Sequence, residues 1–388
     1  MGKILEKSVR KIRMKRFISI NWREVIKDLP IEPKDTLICC DLRDCILDQM
    51  DLSKVTFFGC RLNGTSFRGA TLKETQFIGC FSSHHGSPTD FQNCFWQDVF
   101  VVNSHLNYLS DQNLTDFRFW SAEVADAAAD TLSEMNDIRY NAATRLGALK
   151  DSVVAPILAC LLADEEWDVR SIALEVLGKL DLRFLDTNRE LLLRFPNYDR
   201  VLFELMFLCL GDRHSIVRQT AIELVETLSP PDDILLTSVT RIKADYSEER
   251  IAGLLAAIEL CRLDGKYYRL LDLNNLLTLL SDEVAEVRSE CLHLLGIIDD
   301  RSTIPWLLMG LSDPVYTVRI AALCAIKLLR EAPPVSSLIP LLKDPNEEVR
   351  IEVLYTIGQL GDFDKKDLEM VFSDPSIRVR ELAQNLFE

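Results

Sequence analysis

Leu311-Ser-Asp-Pro-Val-Tyr-Thr-Val-Arg-Ile-Ala-Ala-Leu323 is the stretch that decides the fold of this 388-residue chain, because it recurs. Two later stretches align with it residue for residue: Leu342-Lys-Asp-Pro-Asn-Glu-Glu-Val-Arg-Ile-Glu-Val-Leu354 and Phe372-Ser-Asp-Pro-Ser-Ile-Arg-Val-Arg-Glu-Leu-Ala383. In each, Asp-Pro makes a turn between two apolar segments, since proline is tolerated at the start of a helix. A repeat of about 31 residues that pairs two helices is typical of a solenoid, in which each unit packs only against its neighbours.

An arginine marks each helical repeat, and most of these arginines follow an aspartate by six residues. The arginines are Arg139, Arg170, Arg218, Arg250, Arg288, Arg319, Arg350 and Arg380, and the aspartates are Asp164, Asp212, Asp282, Asp313, Asp344 and Asp374. We interpret the two sets as a structural ladder of ion pairs along the stack and not as catalytic groups. The series predicts about eight repeats over residues 121–388. In one repeat Ala244 occupies the aspartate position, and the long interval from Arg170 to Arg218 predicts an insertion near residues 181–200.

A second, shorter period begins at Leu37. Large apolar side chains occur every five residues, at Leu37, Leu42, Leu47, Leu52, Phe57, Leu62, Phe67, Leu72 and Phe77, and again at Phe91, Trp96, Val101 and Leu106. We call these positions the centres of the short repeats. Neither a helix, with its period of 3.6 residues, nor a simple strand, with its period of 2, produces this pattern.

Motifs in both regions resemble known repeat families. Cys40-Asp-Leu-Arg-Asp44 and Ala70-Thr-Leu-Lys-Glu74 resemble the pentapeptide-repeat family, and the Asp–Arg spacing resembles HEAT repeats of the short bacterial type first named from phycobilisome lyases. Together these resemblances imply a repeat protein. A right-handed quadrilateral β-helix would occupy residues 37–120, and an α-solenoid of HEAT-like helix pairs would occupy residues 121–388. Four short repeats per coil would stack residues that are twenty apart.

Cysteine and histidine residues in the short repeats raise the question of a metal site. Cys40, Cys60 and Cys80 are twenty residues apart, so the resemblance places them in one internal column. We interpret the column as packed thiols, because free cysteine behaves as a small buried hydrophobe. Zinc prefers four converging ligands, so no metal is predicted. His84 and His85 interrupt the period and are interpreted as part of a loop, with a metal or partner contact as the alternative.

Residues 1–36 differ from the rest of the chain in charge. They carry ten basic and five acidic side chains, a net charge of +5. Ile4, Leu5, Ile12 and the Phe17-Ile18 pair, set among the basic residues, suggest a basic amphipathic helix. We expect this segment to cap the open end of the β-helix, because an exposed β edge promotes aggregation. Docking on an anionic membrane surface, on an acidic partner or on the acidic part of this chain is the alternative.

Acidic residues dominate the helical part of the sequence. The net charge of the chain is −16, with −2 in residues 37–106 and −19 in residues 107–388. This disfavours direct nucleic-acid binding, which depends on neutralising phosphates, and favours a partner with a basic surface. No signal peptide and no apolar run of membrane-spanning length is recognisable, and the eleven cysteines are expected to be reduced thiols. The predicted location is the cytoplasm.

The second helix of each pair is expected to line the concave face, the usual docking surface of a solenoid. Polar, acid-leaning positions on these helices are predicted to bind a partner: Glu175, Lys179, Gln219, Glu223, Glu259, His293, Tyr355 and Gln359. A charged face that only keeps the solenoid soluble is the alternative. The sequence therefore predicts a monomeric, non-enzymatic protein-interaction scaffold without a cofactor. It would act as an adaptor, a regulator or a neutralising partner.

Two other functions remain open at this point. Pentapeptide proteins that resemble duplex DNA protect or inhibit DNA gyrase, although residues 37–106 carry a charge of only −2. The phycobilisome-lyase resemblance suggests a bilin lyase-like, chromophore-handling protein. No phosphate-binding loop, zinc-ligand spacing or nucleophile elbow is recognisable, so no catalytic residue is predicted.

Overall fold

The chain divides into two compact units, Met1–Met206 and Phe207–Glu388. The computed structural model describes residues 3–5, 16–18, 31–82, 88–102, 104–106, 120–150, 152–180, 198–361, 363 and 365–387. The first unit holds the short repeats and the first helical repeats. The division therefore falls within the helical repeats and not at the boundary between residues 120 and 121 that the sequence pattern marks.

Short strands stack in the first unit. They are β1 (Lys3–Leu5), β2 (Arg16–Ile18), β3 (Thr36–Ile38), β4 (Thr56–Phe58), β5 (Thr71–Lys73), β6 (Gln76–Ile78), β7 (Phe95–Gln97) and β8 (Phe100–Val102). One sheet has the order β1-β2-β3-β4-β6-β8, and β5 pairs with β7 in another. From β2 onward the pairs are parallel, and β3, β4 and β6 are in register at intervals of twenty residues, for example Leu37 beside Phe57 and Phe57 beside Phe77. This register is the expected consequence of four short repeats per coil.

The centres of the short repeats form the core of the coil. Leu37, Phe57 and Phe77 are fully buried in one column, and the rings of Phe57 and Phe77 stack at 5.0 Å with an angle of 5° between them. Phe67 meets Phe77 edge-on at 6.0 Å. Stacked and edge-to-face rings are the arrangements that aromatic pairs prefer. These ring contacts therefore stabilise the core beyond the effect of buried apolar area alone.

A left-handed residue turns the chain at each corner of the coil. Two residues after each centre from Leu37 to Phe77 the backbone has positive φ, at Cys39, Asp44, Gln49, Lys54, Gly59, Gly64, Gly69, Glu74 and Gly79. Glycine adopts this conformation without the steric cost that a side chain brings. The corner position therefore explains why glycine recurs with the five-residue period.

Side chains inside the coil link each turn to the previous one. The residue two positions before a centre donates to a centre carbonyl in the preceding coil: Thr65 Oγ1 to Leu42 O at 2.8 Å, and Cys80 Sγ to Phe57 O at 3.2 Å. Cys60 Sγ lies 3.5 Å from Leu37 O in the same way. The column of Cys40, Cys60 and Cys80 is thus a set of buried thiols, of which Cys60 and Cys80 bind carbonyl oxygens.

The interruption near residues 83–87 lengthens one coil. Before it, the linking hydrogen bonds join residues 23 apart, and after it they join residues 27 apart, as from Ser104 Oγ to Phe77 O at 3.1 Å. The later coil therefore contains four extra residues yet returns to the same register. His84 and His85 lie outside the described residues.

The N-terminal segment extends the sheet. Strand β2 pairs in parallel with β3, with Phe17 beside Leu37, and β1 pairs antiparallel with β2. The amphipathic helix predicted for residues 1–36 is therefore wrong at residues 3–5 and 16–18, which are strands. Phe17 lies twenty residues before Leu37, and the period of the coil outweighs the helical spacing. Strand β2 covers the edge of β3. The capping role expected of this segment stays a prediction.

Helices occupy the rest of the first unit: α1 (Ala122–Asp130), α2 (Asn136–Ala148), α3 (Ala155–Leu161), α4 (Trp167–Lys179) and α5 (Tyr198–Leu208). Ser121 starts α1 by accepting the Val124 N–H at 3.3 Å. Helices α2 and α4 pack together, and α3 packs on α4. The stretch near residues 181–200, predicted as an insertion, is described only from residue 198, where α5 begins.

The second unit continues with helix pairs. They are α6 (Ser215–Leu228), α7 (Asp232–Val239), α8 (Ser247–Leu263), α9 (Leu273–Leu279), α10 (Ala285–Ile298), α11 (Ile304–Gly310), α12 (Tyr316–Leu328), α13 (Glu347–Leu360) and α14 (Ile377–Phe387). Short 3₁₀ turns such as Ile339–Lys343 take the place of some first helices. Helices α8, α10, α12, α13 and α14 pack side by side in that order. Asn346 caps α13 by accepting two backbone N–H groups, and Gly361 ends it with φ of 73°.

Candidate functional site

The ladder arginines join consecutive repeats. Nε and Nη2 of Arg288 donate to the two carboxylate oxygens of Asp313 at 2.7 and 2.9 Å, while Nη1 donates to the backbone carbonyl of Asp282 at 2.7 Å. One guanidinium therefore closes the turn of its own repeat and holds the aspartate of the next. The same geometry relates Arg139 to Asp164, Arg319 to Asp344, and Arg350 to Asp374. Two parallel charge-assisted hydrogen bonds fix both distance and direction.

Each ladder aspartate also holds its own turn. Oδ1 of Asp313 accepts the Val315 N–H at 2.9 Å, and Oδ1 of Asp374 accepts the Ser376 N–H at 2.8 Å. Burial disfavours ionisation of Asp313, but the hydrogen bonds from Arg288 and from the Val315 N–H outweigh it. The pKa of Asp313 therefore lies below its usual value of 3.8. The pKa of Asp374 is lowered for the same reasons, through Arg350 and the Ser376 N–H.

The ladder adapts where a repeat lacks the usual aspartate. Nε of Arg218 binds Glu259 Oε1 at 2.9 Å in the repeat that has Ala244 at the aspartate position. Arg250, in turn, donates from Nη2 to Asp282 Oδ1 at 3.0 Å. In the first repeat, where Ser133 stands at the aspartate position, Arg139 Nη1 donates to the Ser133 carbonyl at 3.0 Å. This is the same backbone contact that Arg170 and Arg380 make with the carbonyls of Asp164 and Asp374, so it does not need an aspartate side chain.

On helix α4 the predicted partner-binding residues lie at the surface. Glu175 and Lys179 are both exposed and form an ion pair with each other across one helical turn. The charge of Glu175 is therefore balanced within its own helix. Exposed pairs of this kind add little to stability, and they leave both side chains accessible to a partner.

In the second unit, the predicted residues differ in their surroundings. Gln219 and Glu223 are exposed on α6, and Gln219 Nε2 donates to Glu223 Oε1 at 3.3 Å. Glu259 is largely buried against Arg218, so it serves the ladder. His293 Nε2 lies 3.0 Å from Arg262 Nη2 and is partly exposed. Among the described acidic residues of this set, Glu223 is the one with no ion pair.

On the second helices α12 and α13, both polar and apolar side chains are exposed. Tyr355 is 49% exposed on α13, and the exposed Gln359 donates to the Lys327 carbonyl at 3.2 Å. Leu328 on α12 is 48% exposed and was not predicted as a site residue. It lies nine residues after Arg319, the same repeat position as Gln359 after Arg350. Counting repeat positions without regard to polarity would have found Leu328.

The coil occupies the other side of the helical repeat that α3 and α4 form. All seven residues of α3 are buried. Cys160 Sγ donates to the Gly59 carbonyl at 2.8 Å, and a Cβ on Gly79 would lie 2.5 Å from Pro156 Cγ. The strand residues Phe58 and Ile78, which alternate with the core-facing centres, are nonetheless buried. Helix α3 therefore lies between α4 on one side and the coil corner at Gly59 and Gly79 on the other.

The described residues offer little for metal or cofactor chemistry. Within them, no group of three or more histidine, cysteine, aspartate or glutamate side chains is placed to hold a metal ion. Burial raises the pKa of the Cys60 thiol well above its usual value and that of Cys291 to about 12, so these thiols stay protonated at neutral pH. No helix in the described part of the chain is long and apolar enough to cross a membrane.

Family models match both kinds of repeat. Residues 37–80 match the model of pentapeptide repeats, in eight copies, and residues 304–386 match the model of HEAT repeats. The chain carries pentapeptide repeats and HEAT repeats. The predicted fold class, a pentapeptide coil followed by a HEAT-type helical solenoid, is thereby confirmed. The assignment of the helical part to the phycobilisome-lyase type stays a prediction.

Three solved structures match the chain at low identity. An engineered protein is 14% identical, with a TM-score of 0.34, over 68% of this chain and 87% of its own. The Kap95:Nup1 complex is 15% identical, with a TM-score of 0.46, over 67% of this chain and 40% of that one. YibA of Escherichia coli is 18% identical, with a TM-score of 0.38, over 71% and 94%. No curated protein matches the sequence. Similarities at this level do not identify a function.

Proposed function

We propose that this chain is a non-enzymatic scaffold that binds another protein on the second helices of its HEAT repeats. Pentapeptide and HEAT repeats are typical of interaction scaffolds, because they present long surfaces built from short units. The observation that carries the proposal is the placement of the coil on α3. The coil covers the first-helix side of that repeat, while Glu175 and Lys179 on α4 stay exposed.

The preferred chemistry of the partner follows from the exposed side chains. Glu175 is balanced by Lys179 and Glu259 by Arg218, so the predicted affinity for a basic partner rests on Glu223 and on the overall charge of −16. Tyr355 and Leu328 add exposed aromatic and aliphatic surface on α13 and α12. We propose a partner that presents basic groups to α6 and apolar groups to the C-terminal second helices. Tyrosine is enriched at such interfaces because it buries a large ring and keeps a polar end.

Cross-linking and pull-down from a lysate of the source organism test the proposal. The bait would be wild type, a Glu223→Lys variant, a Tyr355→Ala/Leu328→Ala variant and a control that changes Thr240→Lys and Thr278→Lys on the first-helix side. The three variants alter exposed residues and leave the ladder intact. We expect the second-helix variants to lose a partner that wild type and the control retain.

Loss of the partner only in the first-helix control would move the binding surface to the other side of the repeats. Retention in every variant would refute the second helices as the docking surface. Neither gyrase protection nor chromophore handling is favoured by an observation of the described residues, so no second function is proposed.

A further inference from the structure

Two cysteines from different kinds of repeat meet at the covered corner of the coil. Cys39 follows β3 at a corner position with φ of 52°, where the stacked positions of the next two coils hold Gly59 and Gly79. Cys160 lies in the last turn of α3. Both are free thiols and both are 7% exposed. The contact joins residues that are far apart in sequence and belong to separate repeat families.

The position of the two sulfur atoms is well defined relative to Gly59. A Cβ placed on Gly59 would lie 3.2 Å from Cys160 Sγ and 3.3 Å from Cys39 Sγ, so the sulfurs flank one point and are at most 6.5 Å apart. Cys160 Sγ donates to Gly59 O at 2.8 Å and to Pro156 O at 3.1 Å. A hydrogen bond with Cys160 and burial together raise the pKa of the Cys39 thiol well above its usual value. The two thiols are therefore direct neighbours at this corner.

Other neighbouring thiols are less suited to bond formation. Cys60 and Cys80 lie inside the coil with no exposed surface, and their thiols face carbonyl oxygens of the preceding coil. A disulfide there would have to form within the closed core. Cys39 and Cys160 lie instead at the boundary between two packed elements, and each keeps a small exposed surface.

We propose that Cys39 and Cys160 form a reversible disulfide that ties the pentapeptide coil to the helical repeat of α3 and α4 under oxidising conditions. With hydrogen peroxide as oxidant, one thiol is first converted to a sulfenic acid and one water is released. The second thiol then attacks that sulfur, the S–S bond forms, and the hydroxyl leaves with the displaced thiol proton as a second water. A dithiol reductant reverses the reaction by thiol–disulfide exchange.

The consequence is a covalent link across the contact between α3 and the coil corner at Gly59. The link closes a long loop, because residues 39 and 160 are separated by most of the first unit. Long loops give the largest gain from a disulfide in the chain-entropy model. The oxidised protein is therefore expected to unfold at a temperature higher by roughly 5–15 °C.

Peptide mapping of the oxidised full-length protein tests the proposal. The folded chain is treated with hydrogen peroxide, remaining thiols are alkylated, and the digest is analysed by mass spectrometry without reduction. We expect a linked peptide pair containing Cys39 and Cys160, two hydrogens lighter than the separate peptides. Dithiothreitol should abolish both the pair and the rise in unfolding temperature.

Single variants supply the controls. Cys39→Ser and Cys160→Ser should lose the linked pair and the thermal shift, while Cys45→Ser, at a similarly buried cysteine of the same coil, should keep both. The map of the wild-type protein does not depend on whether a variant folds. Linkage among Cys40, Cys60 and Cys80 without linkage of Cys39 to Cys160 would overturn the proposal. So would sulfinic acid at either cysteine with no cross-link.

Discussion

Arg218 binds Glu259 across two repeats, with Nε 2.9 Å from Oε1, where the usual ladder aspartate is replaced by Ala244. Both side chains are largely buried, and Arg218 Nη1 also donates to the Asp212 carbonyl at 2.9 Å. A carboxylate from the body of α8 thus replaces one that normally comes from the turn. The ladder therefore needs a carboxylate beside the arginine, and this carboxylate can come from a different position of the repeat.

Neutralising Glu259 should destabilise the second unit. Glu259→Gln leaves the Arg218 guanidinium partly buried without its counter-charge, and we expect a loss of about 1–3 kcal/mol in the free energy of unfolding. Urea unfolding followed by circular dichroism measures the change. Glu223→Gln is the matched control, because it removes the same charge from an exposed position of α6. Equal effects in the two variants would contradict a ladder role for Glu259.

The planar geometry of the Arg350 guanidinium should contribute to stability as much as its charge does. Arg350 uses Nε and Nη2 for Asp374, at 2.8 and 3.0 Å, and Nη1 for the Asp344 carbonyl at 2.8 Å. Lysine has one nitrogen and cannot reach all three oxygens, so Arg350→Lys is expected to cost about 2–3 kcal/mol. Arg330→Lys changes a fully solvated arginine that pairs with Asp299 and should have little effect. Thermal unfolding of both variants distinguishes fork geometry from simple charge.

Acid should weaken the ladder. The pKa values of Asp313 and Asp374 are lowered in the folded chain, so both carboxylates stabilise it above the ordinary aspartate pKa near 3.8. That stabilisation is lost as the pH falls through this value toward the lower pKa values of the folded state. We expect the unfolding temperature to drop between about pH 5 and pH 3. Asp313→Asn should be less stable at neutral pH and lose less on acidification, whereas the exposed Asp245→Asn should follow wild type.

Much of the architecture can be read from the sequence because both repeats have rigid periods. The centres from Leu37 onward and the arginines from Arg139 onward predict which residues stack, since each repeat contacts its neighbours in the same way. Strand β2 could also have been found, because Phe17 precedes Leu37 by one full coil of twenty residues. The basic residues around Phe17 suggested an amphipathic helix instead.

Contacts that do not follow the repeat period cannot be predicted from the sequence pattern. Glu259 was predicted to face a partner from its repeat position, but the missing aspartate at Ala244 draws it to Arg218. The burial of α3 was not foreseen either, because the repeat pattern describes contacts along a stack and not across it. In the sequence pattern, nothing distinguishes Pro156 and Cys160 from other first-helix residues. The structure shows that the coil corner lies against them.

The contact between α3 and the coil can be tested at Gly79. This residue has φ of 59°, and a Cβ there would overlap the Pro156 ring, 2.5 Å from Cγ. Gly69 occupies an equivalent corner with φ of 69°, and its added Cβ would meet only Gln49 Cγ at 3.5 Å. Both alanine variants carry the cost of left-handed backbone, about 1 kcal/mol, but only Gly79→Ala must also displace α3. We expect Gly79→Ala to lose about 2 kcal/mol more than Gly69→Ala in thermal unfolding. If the two variants were equally stable, α3 would not be pressed against this corner in solution, and the link between Cys39 and Cys160 would lose its structural basis.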